Sequence, residues 1–277
     1  MTATSFSPQE YDRFSRFLEE ACGIVLGDNK HYLVSSRLRR LMAEHGLATL
    51  GEVVDRLKAD RSAGFRESVI EAMTTNETYW FRDSFPFDIL KSRIFPEFAE
   101  RRVRGPLRVW SAACSSGQEP YTISMTAQEF LRAKPGTSLG DVQIVATDIS
   151  DAMLEIAKRG RYDSMTVSRG LSDERKREFF AELDEMWEVK AEVRRRVSFR
   201  HLNLLQSFSS MGRFEVIFCR NVLIYFSAES KRDILARLAQ ALNPGGYLFL
   251  GASESIANYS EAFEMVRCNP GVVYRLK

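Results

Sequence analysis

The sequence predicts an α/β protein in which a doubly wound, mostly parallel sheet follows a helical amino-terminal domain. From about residue 106, short apolar runs alternate with amphipathic segments of helical periodicity. This alternation is typical of a parallel sheet that is covered by helices on both faces. The residues up to about 75 show helical spacing only. We therefore expect a helical domain at residues 1–75, a connecting segment at 76–105 and the sheet domain at 106–277.

Four helices are expected in the amino-terminal domain. The first begins at Ser7-Pro8-Gln9-Glu10, a capping box with proline at the first helical position. The third begins at a second capping box, Thr49-Leu50-Gly51-Glu52. The spacing of apolar residues predicts the second helix at 30–45 and the fourth from about Ser62 to Met73. Together these helices would form a small bundle.

The sheet domain is expected to end in an antiparallel hairpin. Its last two strands, near 264–267 and at 272–276, are joined by Asn269-Pro270-Gly271, which is too short for a parallel crossover. The other expected strands are 107–113, 142–148, 197–202, 214–219 and 247–251, and the expected helices between them are 120–131, 151–158 and 228–242.

A long insert, roughly residues 160–196, separates the second and third parallel strands. Its later part, Trp187–Val197, alternates apolar and charged residues, which predicts a small exposed antiparallel hairpin. Helix is the competing assignment for Asp173–Met186. We expect the insert to form a small β-subdomain attached to the main sheet.

The bulk composition argues against several classes of function. Lys+Arg 39 against Asp+Glu 37 leaves a net charge of +2, so no global field favours nucleic acid or a membrane surface. The four cysteines and three histidines show no metal-ligand spacing, and Cys114 and Cys219 lie in apolar runs typical of reduced core cysteines. No secretory leader is recognisable, and no apolar run approaches the roughly 18 residues of a membrane span. We expect a cytoplasmic protein that binds no metal and no nucleic acid and does not insert into membranes.

Polar residues gather at the predicted carboxyl ends of the strands, where open α/β sheets bind their ligands. The first strand leads into Ser111–Pro120, where Gly117 can adopt a positive φ, but the loop lacks the three glycines of a dinucleotide site. Asp148 ends the second strand and could accept hydrogen bonds from ribose hydroxyls or, alternatively, cap the next helix. The pair Arg220-Asn221 lies between two apolar runs, which favours a binding site because unsatisfied buried polar groups are costly.

Five segments, in this order and spacing, resemble one known family over essentially the whole chain. The family is the chemotaxis-receptor glutamate methyltransferases of the CheR type. The segments are TTNETYWFRD (74–83), RVWSAACSSGQEPYTISM (108–125), IVATDIS (144–150), FRHLNLL (199–205) and FEVIFCRNVLIYF (214–226).

The resemblance implies a Rossmann-like methyltransferase sheet that uses S-adenosyl-L-methionine and releases S-adenosyl-L-homocysteine. It also implies methyl esterification of glutamate side chains on chemotaxis receptors. Arg82 and Tyr225 would lie near the sulfonium and the incoming carboxylate, as catalytic residues. Asp148 would hold the ribose, Asn203 and Leu204 the adenine side, and the remaining cofactor contacts would be Asn76, Thr78, Arg82, Glu119, Arg220 and Asn221.

An ionised glutamate needs no general base, which fits a sequence without an evident His/Asp or Ser/His constellation. The aromatic residues of the connecting segment suit a site of low polarity. An equally supported interpretation assigns two of them, Trp80 and Phe81, to an interdomain core.

The implied partner is the cytoplasmic domain of a chemotaxis receptor, whose methylation region is an acidic helix. From Lys30 to Ala43 the chain has four basic residues and no acidic one. We expect Arg37 and Arg40 on the outer arc of the second helix and Arg39 on its opposite flank, as receptor-docking residues.

Some members of the family also bind a pentapeptide at the receptor's carboxyl terminus, by adding a strand to the small sheet next to a glycine-containing loop. Here no glycine lies between Gly170 and Gly212, and positive φ is unfavourable for other residues. Charged residues also alternate along the expected edge strand, namely Glu188, Lys190, Glu192 and Arg194. We therefore predict methylation that is independent of this pentapeptide.

Two other functions are compatible with parts of the pattern. A methyltransferase acting on nucleic acid or a small molecule would share the sheet and Asp148, but not the helical domain with this connecting segment. A non-catalytic scaffold that binds the cofactor in a signalling array is disfavoured by the presence of Arg82, Asn221 and Tyr225.

Overall fold

A computed structural model describes residues 6–59, 63–101 and 105–277. The amino-terminal part forms the four predicted helices, α1 (Pro8–Cys22), α2 (His31–Glu44), α3 (Leu50–Ala59) and α4 (Ala63–Met73). The predicted start of α4 at Ser62 lies outside the described residues. The helices enclose a core in which Phe14, Leu18, Val34 and Leu38 are fully buried.

Both capping boxes form as predicted. The Ser7 hydroxyl accepts a hydrogen bond from the Glu10 N–H at 3.2 Å, and the Glu10 carboxylate accepts one from the Ser7 N–H at 2.9 Å. Thr49 and Glu52 exchange the same pair of bonds, at 3.1 and 3.3 Å. Each box satisfies backbone donors that a helix start leaves free.

Short helices lead from the connecting segment into the sheet. They are α5 (Phe85–Ile89) and α6 (Phe95–Glu100), joined by a π-helical turn at Leu90–Ile94. Phe87 of α5 stacks on Phe218 of the main sheet, with ring centroids 5.9 Å apart. These helices therefore belong to the hydrophobic core on one face of the sheet.

The alternation of strands and helices predicted from residue 106 onward is confirmed. The elements follow in the order β1 (Leu107–Ala112), α7 (Gln118–Ala133), β2 (Val142–Asp148), α8 (Asp151–Arg159), β3 (Arg161–Asp163), α9 (Ser164–Ser168), α10 (Asp173–Phe179), β4 (Phe180–Leu183), β5 (Met186–Val189), α11 (Ala191–Arg194), β6 (Val197–His201), β7 (Phe214–Cys219), α12 (Ala228–Ala241), β8 (Leu242–Phe249), β9 (Phe263–Arg267) and β10 (Val272–Leu276).

The main sheet has seven strands in the order β6-β2-β1-β7-β8-β10-β9. The first five are parallel, and β10 pairs antiparallel with both β8 and β9, so the predicted terminal hairpin is confirmed. Strand order reverses between β1 and β7, which is the switch point where a ligand is expected. In the described ranges, no helix combines the length and apolar character that a membrane span requires.

The inserted subdomain is a β-structure, as predicted, but its hairpin lies earlier in the chain. The strands are β4 and β5, which pair antiparallel, and β3 pairs with the other side of β5. The expected hairpin at Trp187–Val197 is wrong, because the chain forms α11 at Ala191–Arg194. The competing assignment, a helix at 173–186, holds only for its first half, because α10 ends at Phe179 and β4 follows.

Two reasons for expecting pentapeptide independence are not supported by the structure. A two-residue turn joins β4 to β5 without glycine, since Asp184 and Glu185 adopt φ values of 49° and 63°. Glu188 lies on the central strand, where its carboxylate pairs with Arg161 and Arg194, rather than on an edge. Glu192 and Arg194 lie in α11. The edge strands of the small sheet are β3 and β4, and Ala181, Glu182 and Leu183 of β4 are exposed.

Candidate active site

A cavity that is open to solvent lies at the carboxyl ends of β1, β2, β6 and β7. The amino-terminal helices and the connecting segment form its remaining walls. All of the residues predicted to hold the cofactor or act in catalysis line it, namely Asn76, Thr78, Arg82, Glu119, Asp148, Asn203, Leu204, Arg220, Asn221 and Tyr225. The structure therefore brings these positions together, although they are spread over some 150 positions of sequence.

Asp148 is buried at the end of β2, with 5% of its surface exposed. Its Oδ2 accepts a hydrogen bond from the Ser115 N–H at 2.7 Å, and its Oδ1 accepts one from the Ser150 N–H at 2.9 Å. Burial raises the pKa of Asp148, although these N–H groups oppose the shift. The alternative role as a helix cap is not supported, because the N-cap of α8 is Ser150, whose hydroxyl accepts from the Met153 N–H at 3.1 Å.

The loop between β1 and α7 presents its backbone to Asp148. Ser115 has a φ of 50°, and Gly117 has a φ of 97°, as its position predicted. A Cβ on Gly117 would lie 2.9 Å from the Cβ of Ala157. The loop therefore needs glycine here both for its dihedral angle and for its close packing against α8.

Arg220 is the centre of a buried ion network. Its side chain is 2% exposed, and its guanidinium donates to Glu119 at 2.9 Å and to Asp83 at 2.8 Å. Glu119 also accepts a hydrogen bond from the Ser111 hydroxyl at 2.8 Å. The Nε of Arg220 has no hydrogen-bond partner among the described residues. A buried donor without a partner is costly, so this atom is suited to meet a bound polar ligand.

The connecting segment covers the cavity and is held by contacts from both sides. The Asn76 carbonyl accepts a hydrogen bond from the Ser115 hydroxyl at 2.8 Å. Arg82 donates to the Glu77 carbonyl at 3.0 Å, and its guanidinium lies 5.5 Å from the ring centroid of Tyr79. Arg169 of the insert lies 4.8 Å from the same ring. Two arginines therefore lie within cation–π distance of the Tyr79 ring at the cavity.

Of the aromatic residues in this segment, Trp80 and Phe81 are core residues. Trp80 is fully buried, and its indole N–H donates to the Thr166 carbonyl at 3.1 Å. Phe81 is 9% exposed and packs against Phe87. Neither lines the cavity, and both belong to the core that the sheet shares with the insert. The interpretation as core residues is therefore supported, but the interdomain part of it is wrong, because the helical domain has a separate core.

The amino-terminal helices close the cavity beside Asn203. The Asn203 side-chain amide donates to the Ala21 carbonyl at 2.7 Å, and its oxygen accepts from the Leu205 N–H at 3.0 Å. Cys22 also lines this wall, and burial raises its pKa to about 11. The helical domain is therefore part of the site rather than a separate attachment.

Sequence reasoning did not identify Glu254, which supports the loop after β7. Its carboxylate accepts hydrogen bonds from the backbone N–H of Asn221, at 2.6 Å, and of Gly251, at 2.7 Å. A signal was available, because Glu254 follows the carboxyl end of β8, and strand ends were the basis for the other predictions.

The three arginines of α2 do not share one environment. Arg37 is half-buried, and its guanidinium donates to the carbonyls of Met73 and Thr74, at 2.6 and 2.9 Å. The expectation that Arg37 projects from the outer arc is therefore wrong, because these carbonyls bind it at the end of α4. Arg39 and Arg40 are exposed, and Arg40 pairs with Glu44 at 3.1 Å.

Comparison with known proteins matches both parts of the chain. The family profile described as "CheR methyltransferase, SAM binding domain" matches residues 76–272, and that described as "CheR methyltransferase, all-alpha domain" matches residues 9–74. The chain belongs to the CheR methyltransferase family.

Curated relatives of this CheR methyltransferase cover nearly the whole chain. "Chemotaxis protein methyltransferase 1" of Pseudomonas aeruginosa is 55% identical over 97% of this chain and 98% of its own length. "Chemotaxis protein methyltransferase" of Vibrio parahaemolyticus is 53% identical over 100% of both chains. The protein of the same description from Escherichia coli is 34% identical over 94% of this chain and 89% of its own length. The protein is therefore an S-adenosylmethionine-dependent chemotaxis methyltransferase.

The cavity fits this cofactor. The buried carboxylate of Asp148 is suited to hydroxyl groups, and the partnerless Nε of Arg220 is suited to an anionic or carbonyl oxygen. Ile149, Leu204 and Phe226 provide apolar surface for a base. The described lining thus offers groups suited to a nucleoside and groups suited to a charged amino-acid tail.

Proposed function

We propose that this CheR methyltransferase esterifies glutamate side chains on the cytoplasmic domains of chemotaxis receptors. The supporting observation is the composition of the cavity wall, which includes Arg82 and Tyr225 and, among the described residues, neither histidine nor lysine. An arginine and a phenol are suited to orient an anionic acceptor. A glutamate, with a pKa of about 4.3, is already ionised at neutral pH and needs no base to activate it.

The other titratable groups of the cavity are poor candidates for a general base. Burial raises the pKa of the thiols of Cys22 and Cys114, so both remain protonated at neutral pH. Glu119 is paired with Arg220, and Asp148 accepts two backbone N–H groups. An acceptor that must lose a proton, such as a lysine amine with a pKa of about 10.4, is therefore less well served by this site than a carboxylate.

Each residue then has a proposed task. Bound S-adenosylmethionine supplies an electrophilic methyl group on its sulfonium. Asp148 accepts hydrogen bonds from the ribose, Asn203 and Leu204 contact the adenine side, and the methionine end meets Arg220 and Asn221. Asn76, Thr78, Arg82 and Glu119 complete the binding wall. Arg82 and Tyr225 would orient the incoming carboxylate toward the methyl group, and the connecting segment, which lines the cavity, would shield that carboxylate from water.

Receptor docking is proposed for the exposed arginines of α2. Arg39 and Arg40 are available to an acidic helix, whereas Arg37 already donates to carbonyls of the protein. Independence of the receptor pentapeptide stays a prediction. What supports it now is the two-residue turn between β4 and β5, which provides no additional loop beside the edge strand.

The test is methylation of a purified receptor cytoplasmic domain with labelled S-adenosylmethionine, followed by peptide mass spectrometry. We expect the label on glutamate side chains, as esters that mild alkali removes. RNA and a metabolite extract serve as competing acceptors. Label on lysine, on RNA or on a small molecule, with none on receptor glutamates, would contradict the proposal.

A further inference from the structure

Glu254 connects the ends of two neighbouring strands beneath the cavity wall. Its Oε2 accepts the Asn221 N–H at 2.6 Å and the Gly251 N–H at 2.7 Å, while its Oε1 accepts the Ile224 N–H at 3.3 Å. Asn221 and Ile224 belong to the loop that follows β7, and Gly251 follows β8. One carboxylate therefore holds backbone donors from both strand ends.

The loop held in this way has an unfavourable backbone conformation. Asn221 has a φ of 57°, in the left-handed region that residues with a side chain rarely adopt, although asparagine adopts it more readily than most. Hydrogen bonds to an ionised acceptor are among the stronger ones in proteins, so Glu254 can stabilise this conformation. The same loop continues into Tyr225, whose carbonyl accepts the Val25 N–H at 2.9 Å.

The Glu254 carboxylate is packed closely against Gly251 and the side chain of Asn221. A Cβ on Gly251 would lie 2.6 Å from the side-chain nitrogen of Asn221 and 2.8 Å from Oε2 of Glu254. The carboxylate thus occupies space that only a glycine at position 251 leaves free. The described residues that line the cavity do not include Glu254, so it acts on a ligand only through the loop.

We infer that Glu254 is a positioning residue for methyl transfer, which sets the backbone geometry that presents Asn221 to the cofactor and Tyr225 to the acceptor. The inference rests on the proposed roles of Asn221 and Tyr225. Loss of the carboxylate should leave the strands in place but release the loop, and so affect cofactor binding and turnover together.

The experiment compares Glu254→Ala, Glu254→Gln and the control Glu261→Ala, an exposed glutamate just before β9. Calorimetry gives the Kd for S-adenosylhomocysteine, initial rates with a receptor fragment give kcat, and thermal unfolding gives Tm. We expect Glu254→Ala to raise the Kd and to lower kcat, and we expect the product of the two fold-changes to be about tenfold or more. Glu261→Ala should match the wild type.

The glutamine variant distinguishes positioning from general stability. Its single carbonyl oxygen can still accept the N–H groups of Asn221 and Gly251, which share Oε2, so it should recover most of the activity lost in Glu254→Ala. If Glu254→Ala does not fold, Glu254→Asp is measured in its place. Aspartate keeps the negative charge, but its shorter side chain moves the carboxylate away from the N–H groups of Asn221 and Gly251. We then expect kcat to fall.

A folded Glu254→Ala with wild-type Kd and kcat, even with a lower Tm, would overturn the inference. A glutamine variant no better than alanine would overturn it as well. Parallel measurements on Asn221→Ala and Tyr225→Phe separate this result from a failure of the proposed site. If those variants behave like the wild type, the site is wrong; if they are impaired and Glu254→Ala is not, only the role of Glu254 is wrong.

Discussion

The guanidinium of Arg37 donates a hydrogen bond of 2.9 Å to the backbone carbonyl of Thr74, which joins helix α2 to the segment that lines the cavity. A second bond reaches the Met73 carbonyl at 2.6 Å, and a third the Thr75 hydroxyl at 2.9 Å. The helix proposed to dock the receptor is therefore tied directly to the wall proposed to hold the cofactor.

The first prediction separates the arginines of α2 by these contacts. Arg37→Ala should weaken S-adenosylhomocysteine binding by up to about tenfold, because the lost hydrogen bonds fix the segment that leads into Asn76 and Thr78. Calorimetry on the folded variant measures this effect. Unchanged affinity would show that the segment holds its position without Arg37.

The matched control for that prediction is the double charge reversal Arg39→Glu/Arg40→Glu. These side chains are exposed, so cofactor affinity should stay at the wild-type value while the KM for receptor rises. Added salt should reduce the difference, since exposed charges are screened over about 10 Å at 0.1 M. Wild-type receptor kinetics at low salt would place docking on another surface.

A second prediction concerns the carboxylate of Asp148. Asp148→Asn keeps the size of the side chain but removes its charge, and should weaken S-adenosylhomocysteine binding by roughly 1.5–3 kcal/mol through the lost charge-assisted ribose contact. Calorimetry measures the affinity, and near-ultraviolet circular dichroism checks the fold. Wild-type affinity in a folded variant would remove Asp148 from the cofactor site.

The pH dependence of ligand binding and of folding gives a second test of Asp148, because the wild type has a titratable group at this position and Asp148→Asn does not. Because burial raises the pKa of Asp148, protonation should begin to weaken ligand binding at a higher pH than for an ordinary aspartate. For folding the sign is opposite: the ionised, buried group costs free energy at neutral pH, and this cost disappears as the pH falls through the raised pKa. The difference in pH dependence between wild type and Asp148→Asn isolates this group from the others in the site.

The third prediction separates binding from chemistry at Tyr225. Tyr225→Phe should keep the affinity for S-adenosylhomocysteine but lower kcat with receptor, because its hydroxyl is proposed to contact the carboxylate rather than the cofactor. Removing one such contact costs about tenfold in rate. A wild-type turnover rate in this variant would show that the Tyr225 hydroxyl has no role in methyl transfer and that the residue only packs at the cavity wall.

Some features were predictable because they depend on local patterns. The capping boxes at Ser7 and Thr49 and the strand–helix alternation are local, and the strand-end rule placed Asp148 and Arg220 at one cavity. Arg37 was misplaced because helical periodicity cannot show that a long side chain bends back to the carbonyls of another helix.

The insert shows a second limit of the sequence. Alternation at 187–197 suggested a strand, yet α11 forms there, because four-residue elements are too short for periodicity to distinguish them. The turn at Asp184-Glu185 also shows that the absence of glycine does not exclude a tight left-handed turn. The position of Glu254 after the end of β8 was a signal for a role near the cavity, but its contact with the Asn221 N–H joins residues 33 positions apart, which local patterns do not indicate.

The last prediction concerns the β4 edge of the small sheet. Strand β4 presents an unpaired edge with exposed Ala181, Glu182 and Leu183, and β-addition to it is sterically possible. A bound peptide would also need contacts beyond the backbone ladder, and the two-residue turn between β4 and β5 supplies no loop for them. Glu182 adds a charge of the kind that discourages edge pairing. We therefore expect no binding of the tethering receptor pentapeptide at high micromolar concentration in calorimetry, with a scrambled pentapeptide as the control. Receptors with and without that carboxyl-terminal sequence should be methylated at equal rates. A low-micromolar affinity for the native sequence alone would show that the β4 edge is sufficient for the tether.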